Sequence, residues 1–280
     1  MKKLLIALGA VAALTASASA ADLPARTYTK APASADPNYD WSGFYVGANV
    51  GGAWGTFASR TTTDFNSAPL GGPPVYNISN PAENVAALSV LGAQNLDTSS
   101  FAGGGQAGYN WQRGRLVFGI EADIDYVHLR GAVSRTGPLP FVGGIFSMTV
   151  ASQAAADWLF TLRPRVGFAY NNWLFYGTGG LALTELRANF RYTDNLGPAV
   201  ETGSLSQVKA GWSVGGGMEV GIAQRWSIKA EYLYADFGSV STISNNLVIV
   251  APPAAFPANI FHHSTDLKAN IARVGLNYRL

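Results

Sequence analysis

Residues 208–222 read VKAGWSVGGGMEVGI, and residues 226–234 read WSIKAEYLY. In both stretches every second position is apolar or glycine, and the positions between them are glycine, lysine, serine or glutamate, except for Leu233. A period of two is the period of a β-strand, and the short link at Gln224-Arg225 is typical of an antiparallel hairpin. The region 207–237 therefore predicts two paired strands with one apolar face and one polar face.

The apolar face of each strand is long enough to cross a lipid bilayer. A strand of a membrane barrel crosses with about 9–11 tilted residues, and aromatic residues gather at the two ends of its apolar face. Trp212, Trp226, Tyr232 and Tyr234 stand toward the ends of the two strands. These features predict a transmembrane β-hairpin.

The first residues of the chain predict export. Met1-Lys2-Lys3, the apolar run 4–14 and the small residues Ala18-Ser19-Ala20 form the three parts of a secretory signal peptide, residues 1–20. The apolar run is too short for a membrane helix. Residues 21–40 are rich in proline and have no period, which predicts an extended periplasmic leader.

The composition favours an outer-membrane barrel. The chain has 32 glycines among 280 residues, 13% charged residues and no cysteine, so disulfides and thiolate metal sites are excluded. After residue 20 no stretch approaches the roughly 18 apolar residues of a membrane helix. The net charge of +2 is not concentrated in a basic cluster, so nothing predicts a nucleic-acid partner.

The alternating pattern recurs along the chain and is separated by connections of two kinds. Two-residue turns are predicted at Arg113-Gly114, Asn171-Asn172 and Gln224-Arg225, and a short helical turn is predicted near residues 82–91. Long loops after odd strands and short turns after even ones are typical of outer-membrane barrels with periplasmic termini. Residues 41–280 therefore predict an all-β, eight-stranded antiparallel up-and-down transmembrane β-barrel. The predicted strands are 42–57, 99–112, 115–130, 158–170, 173–192, the two in 207–237, and 265–280, and the predicted surface loops are 58–97, 131–156, 193–205 and 238–264.

The third strand shows which faces point outward. Leu116, Ile120 and Tyr126 share the lipid face, because Glu121 and its neighbouring acids on the opposite face would be costly in hydrocarbon. The lumen of a narrow barrel is filled by side chains, and buried charges there must be paired. The predicted lumen charge network comprises Glu121, Asp123, Asp125, Glu219, Glu231, Arg163, Arg165, Lys209, Lys229 and Arg273.

Two expectations concern the fourth strand, which follows the third in sequence. Arg163 and Arg165 are expected to pair with Glu121, Asp123 or Asp125, because sequential strands are usually neighbours. Pro164 lacks an N–H, so a bulge or a gap in the ladder is expected beside it.

Two other kinds of chemistry, a metal or haem site and a hydrolase site, have weaker support in the sequence. Asp123 and Asp125 could form a metal or catalytic pair, and His262-His263 could bind metal or haem, but nothing else supplies convergent ligands. A hydrolase would need a nucleophile, a base and an acid at one rim, and the spacing of the three histidines selects no such set. The sequence therefore predicts no catalytic residue, no metal site and no cofactor.

The last strand alternates to the end of the chain. Its outward residues Val274, Leu276, Tyr278 and Leu280 resemble the C-terminal signal that the outer-membrane assembly machinery reads, although that signal usually ends in phenylalanine. With the leader start ADLP at residue 21, WSGFYVGAN at 41 and RVGLNY at 273, the chain resembles the small porin-family outer-membrane immunogenic proteins of alphaproteobacteria.

This resemblance implies a surface-exposed barrel that contributes to envelope integrity and surface interactions. Some relatives are described as porins or haem binders, so a small-solute porin and a haem- or ligand-binding surface receptor stay as alternatives. The implied partners are outer-membrane lipid, the assembly machinery and extracellular ligands that contact the loops.

Overall fold

The computed structural model describes residues 39–64, 81–140, 145–250, 253–257 and 259–280. The predicted signal peptide 1–20 and all but the last two residues of the predicted leader lie outside the described residues, as do residues 65–80 of the first predicted loop. Among the described residues, no helix is both long and apolar enough to span a membrane. The elements in chain order are β1 (Gly43–Asp64), α1 (Pro81–Gly92), β2 (Gln94–Arg113), β3 (Leu116–Leu139), β4 (Phe146–Tyr170), β5 (Trp173–Asp194), β6 (Ala199–Ala223), β7 (Trp226–Ser244), β8 (Val248–Val250), β9 (Pro253–Ala255) and β10 (Ile260–Arg279).

Eight long strands close into a ring. Each of β1 to β6 pairs antiparallel with the next strand, β7 pairs with β10, and β10 pairs with β1. The closing register sets Val50 opposite Val274, and the N–H of Leu280 donates to the carbonyl of Phe44 at 2.9 Å. Each of the eight long strands therefore has a hydrogen-bonded neighbour on both sides, and the ring has no free edge. The predicted eight-stranded antiparallel barrel is confirmed.

The short turns define one end of the barrel, the turn end, and α1 lies at the other, the loop end. Asn171 has a φ of 55° and Gly114 a φ of 62°, the left-handed backbone that two-residue hairpin turns require. The first turn is Gly114-Arg115, one residue later than predicted. Beside Pro164, pairing between β4 and β5 is interrupted from Leu162 to Arg165, so the expected gap is present.

The strands are longer than predicted, with 19 to 25 residues each. Strand β3 continues to Leu139 and β4 begins at Phe146, so most of the predicted loop 131–156 is strand. The predicted loops 58–97, 193–205 and 238–264 are shortened in the same way, and α1 occupies the site of the predicted helical turn. A bilayer crossing needs only about 9–11 residues, so half of each strand extends beyond it.

The outer surface changes character partway along every strand. On β3 the outward residues Leu116 to Tyr126 are mostly large and apolar, whereas His128 and Arg130 beyond them are exposed and polar. This confirms the predicted lipid-facing register. The apolar belt adjoins the turn end. Its upper rim, which is the edge nearer the loop end, is marked by ring contacts between Trp54 and Tyr232 and between Trp212 and Tyr234. We call this belt the apolar band and the remainder of the barrel the extension.

The interior is filled in layers. Trp41, Val117 and Leu174 close the turn end, and buried charged residues follow within the apolar band. Inside the extension lies a core that includes Phe57, Leu186 and Phe237, and α1 caps the loop end with Leu88 buried. A cavity in the extension core and another beside Trp41 each measure only about 10 Å³. Such a volume holds at most about one water molecule.

Candidate functional site

Alternation along five strands brings the predicted lumen charges to one level of the barrel. Nine of the ten predicted residues are buried, with at most 4% of their surface exposed. Inward positions on β3 supply the acids Glu121, Asp123 and Asp125, and β4 supplies Arg163 and Arg165. The remaining buried members are Glu219 on β6, Lys229 and Glu231 on β7, and Arg273 on β10.

Arg163 joins β4 to β3 and β7. Its Nη2 donates to Asp123 Oδ2 at 2.7 Å and to Glu121 Oε1 at 3.0 Å, and its Nη1 lies 3.4 Å from Glu231 Oε1. Its Nε donates to Thr161 Oγ1, which in turn donates to Asp123. One guanidinium therefore binds carboxylates from two other strands.

Arg273 lies on the opposite side of these acids. It donates to Asp123 at 3.1 Å and to Glu231 at 2.6 Å, and it also contacts Asp125. The planar guanidinium presents five donors, which allows one side chain to satisfy several carboxylates. Strands β3, β7 and β10 are thus joined across the lumen by a single cation.

Arg165 and Lys229 complete the network toward the turn end. Lys229 Nζ donates to both oxygens of Glu121 at 2.9 and 3.0 Å. Arg165 Nη1 lies 3.2 Å from Glu219 Oε2, and its guanidinium stands between the rings of Tyr45 and Tyr176 at 4.8 and 5.1 Å. A cation between two aromatic faces retains favourable electrostatics without water.

Lys209 does not join this network. It lies in the extension half of β6, is only half-buried, and donates to the carbonyl of Ser239 at 3.0 Å. Its inclusion among the lumen charges was wrong, because inward direction alone does not give the level along the barrel axis. The buried network therefore holds five acids and four bases, a formal charge of 4 − 5 = −1.

Neutral side chains that the sequence did not predict add hydrogen bonds to the network. The Tyr45 hydroxyl donates to Glu121 at 2.8 Å and the Tyr176 hydroxyl to Glu231 at 3.0 Å. Asn277 donates to Glu219 at 2.8 Å and accepts from Gln106. Strand alternation could have predicted them, because they occupy inward positions, as the charged residues of the network do.

Inward glycines make room for these long side chains. An added Cβ at Gly47 would lie 2.2 Å from Asn277 Oδ1 and 2.7 Å from Gln106 Nε2. At Gly104 it would lie 2.3 Å from Asp125 Oδ1 and 2.0 Å from a backbone oxygen. Any larger residue at these positions would displace side chains of the network, so the network requires glycine there.

The histidines lie apart from the network. His262 and His263 are on β10, not in a loop, because that strand begins at Ile260. His263 is buried and its ring nitrogens lie within 3.1 Å of Thr61, Ser244 and Glu201, while His262 is exposed and contacts Asp64. In the described parts of the chain, no three His, Cys, Asp or Glu side chains are grouped as metal ligands.

With this geometry established, comparison with known proteins identifies the family. The family model described as "Outer membrane protein beta-barrel domain" matches residues 6–279. The chain belongs to this family. It is similar to the 31 kDa outer-membrane immunogenic protein of Brucella melitensis biotype 1, with 31% identity over 277 residues that cover 98% of each chain. It is also similar to the 22 kDa outer membrane protein of Rhizobium leguminosarum bv. viciae, with 28% identity over 61% of this chain and 63% of the relative.

These relatives confirm the predicted alphaproteobacterial outer-membrane family and the outer-membrane location. The Brucella relative is named as an immunogenic outer-membrane protein and the Rhizobium relative as an outer membrane protein, and neither name describes an enzyme. Among solved structures, the barrel is similar to the outer membrane protease OmpT from Escherichia coli, with 9% identity, a TM-score of 0.39, and coverage of 85% of this chain and 97% of the protease. At that level of similarity nothing is transferred from the protease.

Proposed function

We propose that this outer-membrane β-barrel protein is a structural, surface-exposed barrel with a closed lumen that contributes to envelope integrity. The observation that carries the proposal is the filled interior. The turn-end cluster around Trp41, the charge network and the extension core around Phe237 follow one another along the axis, and α1 packs at the loop end. A solute path would have to cross all of these layers.

The charge network supports a bracing role. Arg163 and Arg273 connect carboxylates on β3 and β7, so strands on different sides of the lumen are joined through side chains as well as through the ladder. Breaking a buried ion pair leaves an uncompensated charge and typically costs about 3–5 kcal/mol. Such a network opposes widening of the barrel and helps the barrel to keep its shape under mechanical stress.

The extension supports a role at the surface. Its strands carry polar residues on their outer face far beyond the apolar band, for example Ser134 on β3 and Ser204 on β6. The asymmetry between short turns and the capped loop end favours an extracellular loop end. We expect extracellular ligands to contact this end and, as the sequence predicts, we expect no catalytic activity.

Conductance in planar bilayers tests the closed lumen. The full mature chain, refolded in detergent and inserted at single-channel density, should give no steady conductance above the bare membrane. A large-pore porin inserted under the same conditions is the positive control. Large, reproducible open-channel steps from the folded barrel would contradict the closed lumen and establish the alternative, a small-solute porin.

The resemblance of the C-terminus supports a proposal about the assembly machinery as a partner. Val274, Leu276 and Leu280 are exposed on the lipid side of β10, and the Tyr278 ring lies 4.9 Å from that of Trp226. An outward row that ends the chain is accessible before the barrel closes against β1. Replacing these residues should slow assembly in cells while leaving refolding in detergent unchanged, and equal effects in both would contradict recognition by a partner.

A further inference from the structure

A second concentration of charge lies on the outside of the barrel, just above the apolar band. Arg130 on β3, Ala155 on β4 and Arg187 on β5 are directly paired neighbours across three strands. The two arginines therefore stand on either side of an alanine, and their side chains are 56% and 43% exposed. Between them is an open groove of about 490 Å³, whose floor is formed by small residues.

An irregularity in β4 orients both arginines. The strand register shifts between Tyr126 and Leu129 on one side of β4 and between Ala155 and Phe160 on the other. Asp157, inside this irregularity, reaches the outer surface and contacts Arg187, while its Oδ1 lies 3.3 Å from Arg130 Nη2 and 3.3 Å from His128 Nδ1. One carboxylate thus holds two guanidiniums in place, and these three side chains together carry one positive charge in excess.

The position of the groove along the barrel axis, just above the apolar band, indicates which kind of ligand it can bind. Tyr126 and Trp158 are paired at the upper rim of the apolar band, and aromatic residues at such positions lie at the level of lipid headgroups. Arg130 follows Tyr126 by four residues, about 13 Å along a strand. The groove therefore opens sideways toward the headgroup layer, with the acyl-chain layer directly below it.

We infer that the groove between Arg130 and Arg187 binds the phosphorylated headgroup of a membrane lipid. Guanidinium groups match phosphate oxygens with paired donors, and oriented pairs bind more selectively than scattered charges. Gln153 and Asn189 at the far end of the groove add neutral donors suited to a polar, oxygen-rich headgroup. The acyl chains of the same lipid would lie along Tyr126 and Trp158.

The groove lies at the outer leaflet if the loop end lies outside the cell, an orientation that rests on the proposed function. The phosphate chemistry itself does not depend on that orientation. Conductance tests the closed lumen and lipid binding tests the groove, so each can fail without the other.

Lipid titration of the folded chain in detergent tests the site. The mature protein is refolded in dodecyl maltoside and titrated with dioctanoyl phosphatidate, with dioctanoyl phosphatidylcholine and inorganic phosphate in parallel arms, and bound lipid is counted by native mass spectrometry. We expect saturable binding of phosphatidate at one site, at least tenfold tighter than either comparison ligand. Equal binding of inorganic phosphate would identify a free anion as the ligand and overturn the lipid assignment.

Two charge-matched variants locate the site. R130Q/R187Q should weaken phosphatidate binding at least tenfold, whereas R60Q/K268Q, which removes two outward cations on β1 and β10, should change it less than twofold. If R130Q/R187Q folds poorly because Asp157 loses its partners, R130Q/D157N/R187Q removes all three charges and should show the same loss. Equal losses in both double variants, or no loss in the groove variants, would overturn the inference.

Discussion

Replacing Arg273 by methionine should destabilise the barrel more than any other single change to the charge network. Arg273 donates to Asp123 at 3.1 Å and to Glu231 at 2.6 Å and also contacts Asp125, with no exposed surface on its side chain. Methionine retains much of the volume of the stem and removes the charge. The surrounding carboxylates, which are buried, then face one another across the lumen.

The expected magnitude follows from the charge count of the network. The native set carries five acids and four bases, so R273M changes its formal charge from −1 to −2. Removing one partner of a buried ion pair costs about 3–5 kcal/mol. Asp125→Asn should cost less than about 1 kcal/mol, because it removes the acid that is in excess and replaces one hydrogen bond.

The double variant R273M/D125N returns the count to four acids and three bases, the native formal charge. Its loss of unfolding free energy should be smaller than the sum of the two single losses by roughly 1–2 kcal/mol, as for residues in one network. Urea unfolding of the refolded chain in lipid vesicles, followed by tryptophan fluorescence, measures each value. Arg60→Met, on the exposed outer face of β1, is the control and should stay within about 0.5 kcal/mol of the parent. A loss below about 1 kcal/mol for R273M, or strict additivity in the cycle, would refute the network.

Three further predictions follow from the outward register, the inward glycines and the chain end. Ile120→Arg places a charge in the apolar band, so it should lower the free energy of unfolding by about 2–4 kcal/mol and reduce the yield of folded barrel in vesicles. Ser134→Arg lies on the same face of the same strand but in the extension, and its folding yield should be unchanged. Equal yields for the two variants would contradict the position of the band. Gly47→Leu should lower the yield of folded barrel in vesicles, because its side chain would occupy the place of Asn277; an unchanged yield would show that the network can rearrange. Leu280→Phe should speed insertion in cells without changing refolding in detergent, and an unchanged insertion rate would contradict the assembly-signal proposal.

The apolar band could be predicted from sequence because two constraints act there together. Strand alternation fixes the direction of each side chain, and lipid allows only apolar residues on one of the two faces. On β3 the alternation of Leu116, Glu121 and Tyr126 therefore indicates strand, register and lipid face at once. The same reading placed Arg163 near the acids of β3, and the ion pairs at 2.7 and 3.0 Å lie where it expected them.

The extension could not be read in the same way, because the constraint from lipid disappears there. Outward positions such as Ser134, Ser204 and Gln153 meet water and accept small or polar residues, so the sequence resembles a loop. The irregularity around Asp157 also changes the phase of alternation within β4, which a fixed period cannot follow. Lys209 was misassigned for a related reason: strand alternation predicts whether a side chain points inward or outward, but it does not predict the position of that side chain along the barrel axis.

The change of the lumen from charged in the apolar band to apolar in the extension has a single physical origin. Where the outer face meets lipid, the apolar residues point outward, and the polar residues that alternate with them point inward, where they can be satisfied only by one another. Where the outer face meets water, the inward positions are free to be apolar, and Phe57, Leu186 and Phe237 form a core of the kind found in soluble proteins. The barrel thus reverses its polarity at the rim marked by Tyr126 and Trp158. The charge network and the apolar core occupy successive halves of one lumen, so the closed lumen that we propose offers neither a hydrated ion nor an apolar solute a continuous environment that suits it.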